Sequence, residues 1–266
     1  MEHSDQRDRA ESFGSVADLY AKFRPSYPPE AVQWLVGKSP GRVLELAAGT
    51  GALTRLLCAI GHEVIATDLS AEMLAHLKAA APQAQVVVGK AEDIALPSSS
   101  VDIVAVAQAF HWFNEDRALF EIARVLRPGG VLALVWNSAD RTVPWVKRVF
   151  ALLDQPDAGD LVDPVAESDL FAASDARTFR HWQRFHRDSL LGFVASSSKA
   201  ATSSAAERAA LLDEVGRLYD SYDRGPDGML MPWRTRCYRA RVSGLVNVAD
   251  PDTATAYDDT LLVDFS

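Results

Sequence analysis

Val43-Leu44-Glu45-Leu46-Ala47-Ala48-Gly49-Thr50-Gly51 is the stretch that decides the fold. Its first four residues form a short, largely apolar run of the kind that a strand buried on both faces requires. The glycines end that run, and from 52 to 60 apolar residues recur three and four apart, as on one face of a helix. A strand, a glycine turn and a helix in this order leave free N–H groups at the helix start, which favour an anionic or carboxylate group. Gly49 and Gly51 carry no Cβ, so a ligand can approach the backbone there. Nucleotide-like ligands bind in such a place.

Outward from this stretch the pattern repeats. Residues 63–67, 85–88, 101–107 and 131–136 read as further strands, and 71–80 and 116–126 as helices between them. Strict alternation of this length predicts an α/β fold with a parallel sheet and right-handed crossovers. Ser70 is placed to cap the helix at 71, and Arg127-Pro128-Gly129-Gly130 to stop the one before it. Upstream, residues 1–40 form a helical cap or lid. Its amphipathic stretch 16–23 ends at Arg24-Pro25-Ser26-Tyr27-Pro28-Pro29, and a short helix follows at 30–36.

Residues 41–245 make up the main domain. Within it, 154–175 is acidic and poorly periodic, and reads as a surface lid or insertion. Residues 177–187 alternate as a strand, 206–222 form a helix, and 229–242 a last strand in which Pro232 suits an edge or a strand start. Residues 246–266 are an acidic tail.

The 266 residues are 48% hydrophobic and 24% charged, which excludes a disordered chain or a disulfide-built miniprotein. A net charge of −9 argues against a nucleic-acid surface, and Cys58 and Cys237 have no metal or redox spacing. No metal site is expected. The polar start has no signal-peptide core and no 18 apolar residues run together, so the expectation is a soluble, cytoplasmic protein. Small molecules, rather than nucleic acid or membrane, are the expected partners, of a monomer or a homodimer.

Two kinds of ligand compete for the glycine turn. A dinucleotide fold asks for a third small residue where this chain has Thr54. Asp68 ends the second strand, where an acidic residue accepts ribose hydroxyls from a nucleoside as readily as from NAD. Asp68 alone does not choose.

Four segments together carry a resemblance. The 45–51 stretch, Asp68-Leu69-Ser70-Ala71-Glu72-Met73-Leu74, Gly89-Lys90-Ala91-Glu92-Asp93 with Leu96-Pro97, and Arg124-Val125-Leu126-Arg127-Pro128-Gly129-Gly130 resemble, in order, the motifs of class I S-adenosylmethionine-dependent methyltransferases of the type-11 branch. The likeness spans roughly residues 40–140, and residues 20–29 and 107–113 are similar to a small-molecule subgroup of that branch. It implies a Rossmann-like, seven-stranded sheet whose last strand is antiparallel, with S-adenosylmethionine as cofactor. By the same resemblance Glu45, Ala47, Gly49, Thr50 and Gly51 line the methionine side of the cofactor, and Asp68 holds its ribose. Leu69 and Met73 pack on the adenine, Ala91 and Glu92 meet its edge, and Gln108 lines the methionine moiety. Met73 is equally well read as core filler.

Residues near the expected acceptor complete the reading. His111 follows the fourth strand, where it serves either as a general base or as a hydrogen-bonded part of the pocket floor beside Trp112. Arg24 is a candidate partner for the cofactor carboxylate and Tyr20 a candidate catalytic group. Tyr27, Trp112 and Trp136 are candidate substrate contacts. The arginines and aromatics of 177–187 separate onto two faces of a strand, so they do not make a nucleic-acid platform, and His181 and His186 do not form a metal pair. The activity implied is methyl transfer to a C, N or O nucleophile by in-line displacement. An NAD(P)-dependent oxidoreductase and a non-catalytic S-adenosylmethionine-binding protein are the alternatives.

Overall fold

Parallel pairing of five neighbouring strands organises the molecule. A computed structural model describes residues 19, 22–155, 163, 165–222 and 225–243. The elements in chain order are α1 (Pro29–Val36), β1 (Arg42–Leu46), α2 (Thr54–Ala59), β2 (Glu63–Asp68), α3 (Ala71–Ala80), β3 (Gln85–Val88) and β4 (Val101–Ala107). They are followed by α4 (Glu115–Val125), β5 (Leu126–Ala139), α5 (Pro144–Leu152), β6 (Asp175–Phe185), α6 (Arg187–Ala195), α7 (Ser198–Thr202), α8 (Ala205–Asp220) and β7 (Met229–Arg241). The sheet runs β3-β2-β1-β4-β5-β7-β6, with β7 antiparallel to both of its neighbours. This is the α/β architecture expected from the sequence.

Strand alternation divides the core. Val43, Ala105 and Val135 face α1, α2 and α3, packing on Val32, Leu57 and Leu77. Leu44, Val104 and Leu134 turn the other way, onto Ala118, Leu119 and Ile122 of α4. A third cluster joins the far half of β6 and β7 to α5, α6 and α8 through Phe150, Phe193, Val215 and Trp233. The chain order reverses between β1 and β4, so helices lie on opposite faces there and a crevice opens at the strands' carboxyl ends. No helix among the described residues is long and apolar enough to cross a membrane.

Four expectations need correction. Arg127-Pro128-Gly129-Gly130 does not precede β5 but lies inside it. Leu126 already pairs with Val101, the ladder resumes at Ile103 with Val131, and the four residues form the irregularity between. Pro232 sits in a strand flanked on both sides, and it is tolerated because β5 ends at Ala139, opposite Trp233; its register partner is Trp182 of β6, and on the other side its carbonyl accepts the Asp140 N–H at 2.8 Å, where no N–H of its own is needed. Val165 and Phe171, within the segment read as a surface lid, are buried against the α4 side of the core. Arg187 belongs to α6, a helix that the sequence reading did not separate from the strand, and His186 is its N-cap.

Candidate functional site

Loops from β1, β2, β3 and β4 meet at the carboxyl edge of the sheet. After β1 the backbone enters the left-handed region at Ala47 (φ 52°) and again at Gly49 (φ 55°) and Gly51 (φ 83°). A non-glycine residue with positive φ is a strained position, and such strain gathers at functional loops. The two glycines do different work. A Cβ built on Gly49 would meet nothing within 4 Å, whereas one on Gly51 would lie 2.8 Å from Leu77 Cγ. Only Gly49 therefore opens onto space for a ligand, and Gly51 lets α3 pack against the turn.

Asp68 holds this turn in place. Its Oδ2 accepts the Gly49 N–H at 2.9 Å and its Oδ1 accepts the Ser70 N–H at 2.9 Å. Burial raises its pKa, and the backbone N–H groups of Ser70, Gly49 and Leu69 oppose that rise. A carboxylate has about four lone-pair sites, so acceptor capacity is left for hydroxyls. Ser70 caps α3 through the Met73 N–H at 3.2 Å, leaving Leu69 54% exposed beside Asp68 as a bare apolar surface.

Beneath the turn lies Glu45, 1% exposed. The Thr54 hydroxyl donates to its Oε2 at 2.6 Å. Burial pushes the Glu45 pKa up to about 8, against the Thr54 hydrogen bond and with a smaller contribution from the Asp68 charge. Thr54, fully buried, occupies the position where a dinucleotide turn has its third small residue, and there it serves as partner to Glu45. Thr50, Met73 and Ala91 are buried close to the same edge, and Glu92 Oε1 accepts the Asn114 N–H at 2.9 Å, joining the β3 loop to the start of α4.

Beyond β4, Gln108 is again left-handed (φ 63°), held by its N–H to Val135 O at 2.9 Å and by its side chain to Asn137 O at 3.2 Å. The 3-10 turn Phe110–Trp112 follows. The buried Trp136 donates from Nε1 to His111 Nδ1 at 3.5 Å, a long hydrogen bond that leaves Nε2 as the protonated nitrogen of the neutral ring. Burial lowers the His111 pKa, so the ring is neutral at pH 7. Trp112 stands 46% exposed next to it.

The described N-terminal candidates are held by the body of the fold. Arg24 donates to Ser196 O at 3.1 Å and lies over the Phe193 ring, at the carboxyl end of α6, where a cation is favoured. Tyr27, 6% exposed, packs in the cluster of Ala31, Val32 and Ala48. Tyr20 lies outside the described residues, as do residues 246–266. Three groups near the edge were not singled out in the sequence: Asn137, Thr235 and, for this purpose, His181. Only Asn137 carried a signal, since it directly follows the apolar run 131–136; the other two are brought together by strand register alone.

Residues 44–134 match the family described as a methyltransferase domain, type 11. A methyltransferase of Mycobacterium bovis, itself uncharacterized, is 40% identical over 240 residues, covering 90% of this chain and 98% of that one. An uncharacterized methyltransferase of Schizosaccharomyces pombe is 44% identical over 151 residues, 55% of this chain and 60% of its own. A solved structure of a candidate type II methyltransferase from Anaeromyxobacter dehalogenans superposes with a TM-score of 0.62 at 27% identity, covering 82% of this chain and 98% of that one.

The raised pKa of Glu45 has a testable sign. Between its ordinary 4.5 and about 8 the folded state holds a proton that the unfolded state has released, so stability falls as pH rises through that window. Asp68 acts in the same direction. His111 and His181, whose pKa values burial lowers, act the other way over the same window, but with Glu45 the larger shift, urea unfolding at roughly pH 5 and pH 8 is expected to give a lower midpoint at the higher pH. In Glu45→Gln, which keeps a neutral acceptor for Thr54, the difference between the two midpoints should shrink.

Proposed function

Because the chain belongs to the class I S-adenosylmethionine-dependent methyltransferase family, we propose that it moves a methyl group onto a nucleophilic atom of a small molecule at the crevice between the ends of β1 and β4. The observation that carries this reading is the open space at Gly49 next to the Asp68 carboxylate. The residues there fit the cofactor: a backbone turn without a side chain for the methionine part, a carboxylate for the ribose and the bare face of Leu69 for the adenine. Ala47, Gly49 and Thr50 are assigned to the first of these, Asp68 to the second, and Leu69, Met73, Ala91 and Glu92 to the third. When bound, S-adenosylmethionine supplies a methyl group already activated on a sulfonium sulfur. The chain's own task is then to hold donor and acceptor in line and to exclude water.

A small acceptor is supported by what surrounds the edge. Residues 23–28 cross it, with Ser26 O accepting from Asn137 Nδ2 at 3.1 Å and Tyr27 buried beside Ala48. His111, Trp112 and Trp136 line the other side, a wall suited to an apolar or aromatic body. The net charge of −9 disfavours a nucleic-acid substrate. His111 has its Nδ1 engaged by Trp136, so it positions the acceptor as an Nε2–H donor and does not take its proton.

Three experiments test this. With methyl-labelled S-adenosylmethionine and a cell extract separated by size, label is expected in the low-mass fraction; label confined to protein or nucleic acid would overturn the small-molecule reading. Calorimetry should show the wild-type chain binding S-adenosylhomocysteine about tenfold or more tighter than its 2′-deoxy analogue, a preference that Asp68→Ala loses. Equal binding of the two by the wild type would remove the ribose role, even though Asp68→Ala also loosens the turn. Finally, His111→Asn is expected to raise KM for the acceptor several-fold while leaving kcat and its pH profile nearly unchanged. A fall in kcat of about 10² or more with loss of a pH transition would make His111 the base instead.

A further inference from the structure

Residues 23–28 are fastened to the sheet through their backbone carbonyls. Gln183 Nε2 donates to Phe23 O at 3.2 Å and Asn137 Nδ2 to Ser26 O at 3.1 Å. Asn137, near the carboxyl end of β5, holds two more groups. Its own carbonyl accepts from the Gln108 side chain at 3.2 Å, and its Oδ1 accepts from the Thr235 hydroxyl at 2.6 Å. One residue thus ties together the crossing segment, the left-handed residue after β4, and β7. Behind it, Thr235 is fully buried, with Oγ1 3.2 Å from His181 Nδ1 on β6. The His181 ring lies nearly parallel to that of Trp233, its register partner.

The direction of these bonds can be deduced. A hydroxyl has one hydrogen, and Thr235 gives it to Asn137 Oδ1 in the shortest bond of the set. The contact with His181 therefore requires an Nδ1–H that donates to Thr235. This leaves Nε2 as a bare lone pair, and Nε2 is buried without a hydrogen-bond partner. Were the proton on Nε2, Thr235 would have to donate to Nδ1 and could only accept from Asn137. The Asn137 amide would then be reversed, its Oδ1 facing the carbonyl oxygen of Ser26, and two acceptors would meet without a proton between them. The tautomer of a histidine two strands away thus decides whether the crossing segment is held.

The geometry points to His181 and Thr235 as positioning residues that act through Asn137, fixing both residues 23–28 and the Gln108 side chain in the arrangement that methyl transfer uses. The functional half of this statement rests on the reading of the crevice given above; the hydrogen-bond order stands apart from it. Neither residue touches the turn at Gly49 or the carboxylate of Asp68, so their effect on the reaction is conveyed by the segment and by Gln108.

The test uses the full chain as wild type, Thr235→Val, Thr235→Ser, His181→Leu and His181→Asn. Nitrogen-15 spectra of the wild-type imidazoles should show His181 protonated at Nδ1 and bare at Nε2; an Nε2-protonated ring overturns the proposal without any variant. Amide hydrogen exchange at Phe23, Arg24, Ser26 and Tyr27, with no ligand present, should be about tenfold faster in Thr235→Val and His181→Leu. It should return close to the wild-type rate in Thr235→Ser, which keeps the hydroxyl, and in His181→Asn, whose amide can donate from near the Nδ1 position. Exchange unchanged in Thr235→Val, or as fast in Thr235→Ser as in Thr235→Val, overturns the proposal. Calorimetry with S-adenosylhomocysteine separates the two levels. A wild type that binds it, with a Thr235→Val chain that binds equally well and exchanges at the wild-type rate, refutes the positioning role alone. A wild type that does not bind it refutes the reading of the crevice, and with it the part of the proposal that concerns methyl transfer.

Discussion

The hydrogen bonds that the Asp68 carboxylate accepts from Gly49 and Ser70 hold the site in shape. The turn after β1 passes through left-handed backbone at Ala47, Gly49 and Gly51, conformations that cost free energy unless the surroundings impose them. β2 holds the turn through Asp68, which bonds Gly49, and through Thr67 O, which accepts the Ala48 N–H at 2.9 Å. Glu45 and Thr54 support the same turn from below, as a buried pair whose carboxyl favours its neutral form. Were Glu45 charged, its repulsion of Asp68 would act on the bonds that keep the turn closed. Burial thus lets two acidic side chains share one small volume, one mainly neutral and the other bonded to backbone N–H groups.

Much of this was legible in the sequence, and for physical reasons. A parallel strand buried on both faces leaves a near-continuous apolar run, and the helices between such strands leave a periodic face. Hence 63–67 and 71–80 were read almost to the residue. Gly49 and Asp68 were found because their roles need particular residue types at the ends of strands already located. Gly51 was read correctly as a glycine that must be one, but for the wrong reason: its missing Cβ makes room for Leu77 and not for a ligand. Arg24 shows the limit more clearly. A cation at the end of an amphipathic stretch satisfies a helix terminus as well as a carboxylate, and only the packing of α6 reveals Ser196 O as one of its acceptors.

What escaped the sequence is the set of contacts made by register. Asn137, Thr235 and His181 stand far apart in the chain and become neighbours only because β7 runs antiparallel between β5 and β6. No spacing within a strand announces that. The long β5 is a related case. Its bulge at residues 127–130 is invisible as strand, because Pro128 and two glycines are the usual marks of a turn, yet Leu126 already pairs with Val101.

Gly192 lies in α6 against the ring of Phe23, and a methyl group in place of its hydrogen would collide with that ring. Phe23 is thereby seated in a notch made by a residue some 170 positions later, and Gln183, Ser196 and Asn137 also hold the segment around it. Chains are synthesised from the amino end, and early segments fold with what has already emerged. The strands β1 to β4 have all their sheet partners once β5 has emerged, well before α6 leaves the ribosome, whereas residues 23–28 must wait for α6. The glycine turn and its bond to Asp68 can thus form in a nascent chain before residues 23–28 find their seat, so the framing of the turn precedes its covering.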